Sequence, residues 1–453
     1  MELLTRLSNY ARKQPERCAL YIDGEQLHYE ALYHQAASAA QQLPNECIGH
    51  YVALTFDRIQ DFVTAYLAVL MKGATPCVMD AKWSSNRRIA LHKQYHISFI
   101  WNVEGLRRTG YEGVSERQPN LLHIGFTSGT TGLPKAFYRD EASWIASFEQ
   151  NECLICEDKK DPTPIMVALG PYAHSLTLYV IVYALFYGRT FMGQNDYHIA
   201  TCANRIAHFG KPCTLFVVPT MVYDWLQHVR ETQQIKNVFI SGDKLTPELH
   251  QQLKAVVPMA TLYEFFGTSE ASFISVNADQ TAPLASVGKV FPNVDILIKA
   301  PDDNGIGRLF VKSPMVFSGY LGQEKPKWIA TGDYARIEND FLYLHGRVQD
   351  RMIIGGRNVY PSVIEQHLKM IDGIEDVVIV RRPHTKFGEL AIAIYVGATN
   401  LTYSKIRRKL SPTLSRYEIP SKLIRVSALP LTSSGKVSRQ EAQLLYESGE
   451  FNE

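Results

Sequence analysis

The chain of 453 residues is 46% hydrophobic and 20% charged, and 47 Lys and Arg face 45 Asp and Glu for a formal net charge of +2. Such a composition excludes extended disorder, collagen-like repeats and coiled coil. A balance this close to neutral also excludes a dedicated nucleic-acid or anionic-membrane binder. The length exceeds what one hydrophobic core serves, so a large domain plus a smaller one is expected.

Met1 to Arg6 reads as the start of an amphipathic helix and lacks the long apolar core of a secretory signal. The cysteines number seven, with none beyond Cys213, which fits a reducing, cytoplasmic setting. Cys153 and Cys156 form a CxxC with no second pair or paired histidines at zinc spacing, so chance is the favoured reading. Tyr51 to Phe56 has the pattern of a buried strand, Asp61 to Met71 of a helix stopped by Gly73, and Ala74 to Met79 of the next strand. The apolar stretch Leu176 to Tyr187 is twelve residues against about 20 for a bilayer span, so it is a buried helix or strand and no membrane span is expected. The strand–helix alternation returns at Thr214 to Val218, Met221 to Val229, Val238 to Ser241 and Pro247 to Val256. Alternation of this kind predicts βαβ units and a largely parallel sheet.

After about Pro283 strand-like pieces (Asp295 to Ile298, Arg308 to Val311, Phe341 to Leu344) sit between Gly, Pro, Asn and Asp clusters, which predicts a β-rich subdomain. Another shift follows Gly346 to Arg351: a helix at Pro361 to Met370, strands at Val377 to Arg381 and Leu390 to Val396, a helix at Tyr403 to Leu410, and a strand at Leu423 to Val426. The expected fold class is therefore α/β, with a large N-terminal domain of βαβ layers plus a β-rich subdomain (1–347) and a small α+β C-terminal domain (348–453). That last segment carries 15 Lys and Arg against 11 Asp and Glu, a modest excess that reads first as a solvated surface.

Thr127-Ser128-Gly129-Thr130-Thr131-Gly132-Leu133-Pro134-Lys135 follows an apolar run and precedes a helical pattern starting near Glu141. Glycines let backbone N–H groups approach oxyanions, hydroxyls donate, and the lysine supplies charge. The spacing is not that of a Walker A loop, and composition alone leaves a flexible surface loop open. Further on stand Pro171-Tyr172-Ala173-His174-Ser175, Glu264-Phe265-Phe266-Gly267-Thr268-Ser269-Glu270, Thr331-Gly332-Asp333, Gly346-Arg347-Val348-Gln349-Asp350 with Gly355-Gly356, and Pro430-Leu431-Thr432-Ser433-Ser434-Gly435-Lys436. Read alone, Gly-Thr-Ser-Glu is a helix N-cap with an acidic first turn, Thr-Gly-Asp is a turn, and Lys436 is an exposed loop lysine. His174 alone reads as a structural histidine before an apolar helix, whose residues are either core or the lining of an acyl pocket.

Together, in this order, the segments resemble the acyl-adenylate-forming superfamily of acyl-CoA synthetases, adenylating domains and firefly-type luciferases, over nearly the whole chain. The resemblance implies an ATP-dependent carboxylic acid–CoA ligase that uses ATP, Mg2+ and coenzyme A. Loading of an acyl carrier protein, or a non-catalytic acyl- or nucleotide-binding relative, are the alternatives. Lys436, His174 and Glu270 are then the catalytic candidates, with Glu270 and Ser269 at the metal. The implied nucleotide and CoA contacts are Thr127, Ser128, Gly129, Thr130, Thr131, Gly132, Lys135, Glu264, Phe266, Gly267, Thr268, Ser269, Asp333, Arg347, Gly355 and Gly356. Asp333 would take the ribose hydroxyls, Glu264 the adenine amino group, and Gln349 the pivot of a mobile C-terminal domain. The absence of an acid in the sequence beside His174 disfavours an α-amino acid substrate; fatty, aromatic, o-succinylbenzoate and dicarboxylate acids stay open.

Overall fold

Local signals set the element ends. Gly73, at φ +79°, closes the helix Ile59–Lys72 in the left-handed conformation that a Cβ would strain. Thr246 caps the helix Pro247–Val256, its hydroxyl accepting the Leu249 N–H, with Pro247 in the first turn where a missing N–H costs nothing. The computed structural model describes residues 1–111, 113, 120–127, 133–155, 164–242, 244–283, 285–399, 401–432 and 437–451. They form two compact units: 1–295 with 311–329, and 296–310 with 330–453.

The first unit holds two sheets. In one, Thr261–Thr268, Ile235–Ser241, Cys213–Val217, Ile165–Ala168, Thr190–Gly193 and Cys18–Ile22 lie side by side and parallel. Antiparallel strands Ser272–Ala278 and Glu25–His28 extend it on either side. The other is seven-stranded, in the order Gly319–Tyr320, Lys135–Asp140, Leu121–Thr127, Thr75–Val78, Tyr51–Thr55, Phe99–Asn102 and Gly105–Arg108. A core of Ile165, Val167, Leu215, Val217, Trp225, Val238, Ile240 and Leu262 joins the first sheet to its helices. Each such side chain, fully buried, contributes about 1.5–3 kcal/mol of transfer free energy. The helix Ser175–Phe186 is buried at every position from Thr177 onward, with Phe148 stacked on Tyr183 at 4.8 Å. Its apolar stretch is thus packed core.

The second unit has a ribbon of Asp295–Lys299, Gly307–Lys312, Ile329–Glu338 and Phe341–Arg347, in that order, and a five-stranded sheet. In the sheet Ile374–His384 and Gly388–Gly397 pair antiparallel, and Lys422–Arg425 joins the latter in parallel. Alternation puts Val377, Ile379, Ala391, Ala393 and Tyr395 in one core and Val378, Val380, Ile392 and Ile394 in another, so both faces are covered. Among the described residues no helix is long and apolar enough to cross a membrane.

Candidate active site

In the first unit the strands Leu121–Thr127 and Lys135–Asp140 form a hairpin in which Thr127 faces Lys135. A Cβ at Gly125 would lie 2.5 Å from the end of the Phe137 ring, so a larger residue there would have to displace that buried ring. Thr127 and Lys135 therefore stand at the two strand ends flanking Ser128, Gly129, Thr130, Thr131 and Gly132, which lie outside the described residues. Pro134 is tied down by the Tyr95 hydroxyl, which donates to its carbonyl at 2.9 Å. Exposed Lys135 places Nζ 5.5 Å from the centroid of the Tyr320 ring.

The segment Glu264 to Glu270 does not begin a helix. It ends the strand Thr261–Thr268 and turns into the antiparallel strand Ser272–Ala278, with Phe266 facing Ser275 and the register shifting at Gly267. The reason is local: a Cβ on Gly267 would sit 2.1 Å from the Ser272 carbonyl oxygen, so only glycine permits the tight return, and Ser272 itself takes φ +60°. The N-cap expectation for Gly-Thr-Ser-Glu is thereby corrected; without a helix terminus, side chains must supply any contact to phosphate.

These side chains are held individually. Thr268 Oγ1 accepts the Ala271 N–H at 3.0 Å, and the Ser269 and Ser175 hydroxyls lie 3.2 Å apart. Glu270 Oε1 accepts the Tyr320 hydroxyl at 2.7 Å, leaving Oε2 without a hydrogen bond among the described residues. Among those residues no cluster of three or more His, Cys, Asp or Glu exists to cage a metal. One open carboxylate oxygen fits Mg2+, which keeps water and takes phosphate oxygens, better than a zinc-type ion needing several protein ligands. Glu264 is buried; its Oε2 accepts the Leu245 N–H at 3.0 Å and its Oε1 has no partner among the described residues. Burial raises its pKa, opposed by the Leu245 N–H, Gln280 and Lys244. An acceptor left open in that way suits an amino-group donor.

His174 precedes the helix Ser175–Phe186, its N–H bonded to Pro171 O at 3.0 Å and its carbonyl accepting from Leu178 N at 3.1 Å. The residue is exposed, yet desolvation lowers the pKa of its imidazole, with Asp80 opposing. No acid stands beside His174 in the sequence, but folding brings Asp80 within electrostatic reach. Neighbouring Tyr172 is structural: its hydroxyl both donates to Phe56 O and accepts from Phe56 N, and its ring stacks on Phe62 at 3.8 Å.

In the second unit Asp333 and Arg347 are paired residues of adjacent strands, with Arg347 Nε 3.2 Å from Asp333 Oδ1. Asp333 is 4% exposed, and its Oδ2 is buried without a partner among the described residues. Burial raises its pKa, with Arg347 and Thr331 opposing. A buried acceptor kept open at such cost fits a pair of sugar hydroxyls. Gly355 and Gly356, both at positive φ, make the two-residue turn between Met352–Ile354 and Arg357–Val359. They line a cleft of about 570 Å³ with Arg351, Arg381, Lys386 and Phe387. Lys436 lies outside the described residues, as do Ser433, Ser434 and Gly435, but Leu431 and Val437 bridge antiparallel across that gap.

Sequence reasoning missed Tyr320 and Arg139 in the first unit and Arg439 in the second. Arg439 Nε lies 3.1 Å from Asp350 Oδ2, and its fork grips Glu365 and the Ile379 carbonyl. An arginine three residues beyond the lysine loop and an aspartate beside Gln349 were the available signals. Arg381 Nη2 also donates to Gln349 O at 3.0 Å.

Two family models match, that of the AMP-binding enzyme at residues 108–321 and that of the AMP-binding enzyme C-terminal domain at 363–436. A putative long chain fatty acid-CoA ligase of Staphylococcus haemolyticus is 46% identical over 462 residues, covering 100% of this chain and 99% of that one. One of the same description from Staphylococcus epidermidis is 41% identical over 457 residues, at 99% and 100% coverage. The o-succinylbenzoate CoA synthetase of Bacillus subtilis, solved with its acyl-adenylate intermediate, superposes with a TM-score of 0.83 at 20% identity, covering 97% of each chain, and so shares the fold. With two family models in order and full-length relatives at this identity, the chain belongs to the AMP-binding enzymes, the acyl-adenylate-forming family that its motifs resemble.

Proposed function

We infer that the chain is an ATP-dependent carboxylic acid–CoA ligase, converting acid and ATP to acyl-AMP and pyrophosphate, then acyl-AMP and CoA to acyl-CoA and AMP. The observation that carries this reading is the grouping of Lys135, Tyr320 and Glu270, a cation and a half-open carboxylate linked through one tyrosine at the end of the glycine- and threonine-rich hairpin. Such a grouping suits a polyphosphate with its magnesium. The same descriptions attached to full-length relatives support a long-chain fatty acid as the substrate. The cytoplasm is the proposed location.

In the first half-reaction the acid's carboxylate attacks the α-phosphorus and pyrophosphate leaves. Thr127, Lys135 and the hydroxyls of residues 128–131 would hold the β- and γ-phosphates; Asp333 is suited to accept ribose hydroxyls, and the Phe266 ring to lie against a base. Glu270, with Ser269, would hold Mg2+, whose charge offsets that of the phosphates. Lys436 neutralises the growing charge on the α-phosphate as the new P–O bond forms. His174, whose imidazole desolvation favours in the neutral form, would position the carboxylate without trapping it as an ion pair. In the second half-reaction the segment 348–453 turns about Gln349, taking Lys436 away and bringing the Gly355–Gly356 turn to the thioester site. The CoA sulfur then attacks the acyl carbon and AMP leaves. Arg351, Arg381 and Lys386 supply charge suited to the phosphates of CoA.

The test is a panel of long-chain, short-chain, aromatic, o-succinylbenzoic and dicarboxylic acids with ATP, scored for pyrophosphate with and without CoA. CoA-dependent thioester with long-chain acids is the expected result. An adenylate that stays enzyme-bound until an acyl carrier protein is added would transfer the reading to carrier loading. Silence with every acid would leave a non-catalytic binder.

A further inference from the structure

Arg139 follows Lys135 on the strand Lys135–Asp140 and is 2% exposed. Among the described residues no carboxylate accepts a hydrogen bond from it. Nη1 donates to the Met315 carbonyl at 2.8 Å and to Ser143 Oγ at 3.3 Å, and Nη2 donates to the Ser269 carbonyl. Burying a cation against neutral acceptors is costly compared with an apolar side chain of the same volume. Burial accordingly lowers its pKa to about 10, with Asp140, Glu270 and Tyr179 pulling the other way.

The acceptors explain why the cost is tolerated. Ser269 immediately precedes Glu270. The Met315 carbonyl also accepts from Ser272 Oγ at 2.9 Å, on the far shoulder of the same turn. Two residues beyond Met315, the Phe317 N–H donates to the Glu270 carbonyl at 2.7 Å. One planar fork thus joins both shoulders of the turn that presents Glu270, while Tyr320 fixes one oxygen of its carboxylate. Lysine, a point donor, cannot span two carbonyls in this manner.

We propose that Arg139 is a positioning residue for the MgATP-binding carboxylate of Glu270, acting through the Ser269 and Met315 carbonyls. It touches no substrate. The proposal rests on the ATP-dependent reading above. Loosening the turn lets Glu270 Oε2 sample directions away from the metal, so the lesion falls on the magnesium-dependent share of nucleotide affinity. Affinity for AMP, which needs no metal carboxylate, is spared.

Calorimetric titration with α,β-methylene-ATP, whose P–C–P bridge blocks adenylation, separates these effects when run with and without Mg2+ beside an AMP control. In Arg139→Lys the gain in affinity on adding Mg2+ is expected to shrink at least tenfold, with AMP affinity within twofold of wild type. In pyrophosphate exchange the KM for MgATP rises more than kcat falls. An unchanged magnesium gain, or AMP affinity falling in step, overturns the proposal in favour of a merely structural arginine. Should Arg139→Lys fail to fold, Ser143→Ala removes one anchor of the fork and is expected to show the same selective loss at twofold or more; equal loss for AMP, or none, overturns it as well. If wild type fails to bind the analogue with Mg2+, the ATP-dependent reading falls first and the proposal with it. Normal wild-type binding with an unselective variant sinks the proposal alone.

Discussion

Replacing Asp333 by Asn should weaken nucleotide binding while leaving the protein as stable or slightly more so. Asp333 is buried, with Oδ2 unsatisfied among the described residues and the half-exposed Arg347 beside Oδ1, so its ionised form is held at a cost in the free protein. Its folded pKa is raised by that burial. The native state therefore binds more protons than the unfolded chain between the unfolded and folded pKa values, and stability from this group falls as pH rises through that window. Asn removes the penalty and keeps one acceptor. In the nucleotide complex the balance reverses. A hydrogen bond to a charged acceptor contributes about 1.5–3 kcal/mol against about 0.5–1.5 for a neutral one. If both ribose hydroxyls donate to Asp333, losing the charge costs about 2–3 kcal/mol, or roughly 30- to 150-fold in affinity. Binding of AMP and of 2′-deoxy-AMP by calorimetry, with thermal unfolding at pH 5 and 7.5, measures both arms. Removing the 2′-hydroxyl should cost wild type more than Asp333→Asn. Equal cost in the two proteins, or a variant that loses stability and affinity together, would refute the ribose assignment.

Lys436→Ala should abolish acid-dependent ATP–pyrophosphate exchange by two or more orders of magnitude yet still make thioester from supplied acyl-AMP; equal loss of both steps would assign it a general structural role. Glu270→Gln keeps an oxygen for the Tyr320 hydroxyl but weakens cation binding, so exchange should fall at low Mg2+ and recover in part at high Mg2+; an unchanged rate at low Mg2+ removes it from the metal. Gln349→Pro fixes φ near −65° and should depress thioester formation from acyl-AMP at least tenfold while sparing exchange, with Gln349→Asp near wild type in both. Loss of neither step in the proline variant would mean that the pivot is elsewhere.

Much of this protein is written locally. The helices Pro247–Val256 and Tyr403–Leu410 declare themselves through Thr246 and Thr402 caps and 3.6-residue apolar spacing, and Gly73 marks the end of Ile59–Lys72. The unbroken apolar runs Val377 to Val380 and Leu390 to Val396 are legible as strands covered on both faces, and longer strands formed there because pairing extends past the apolar run into polar residues such as Arg382 and Glu389. The order of the motifs was enough to place the chain in its family. Only the tertiary structure decided how Glu270 is presented. Gly-Thr-Ser-Glu has the local chemistry of a helix start, but the clash that a Cβ at Gly267 would make with Ser272, and pairing with Ser272–Ala278, turn it into a hairpin. Likewise Tyr320 reaches Glu270 across 50 residues and Arg139 reaches Ser269 across 130. Local propensity and periodicity arise from neighbours within a few residues along the chain. A fork that grips two carbonyls, or an acceptor left open in a buried strand, arises from strand pairing between distant segments, so it leaves no periodic trace in the sequence.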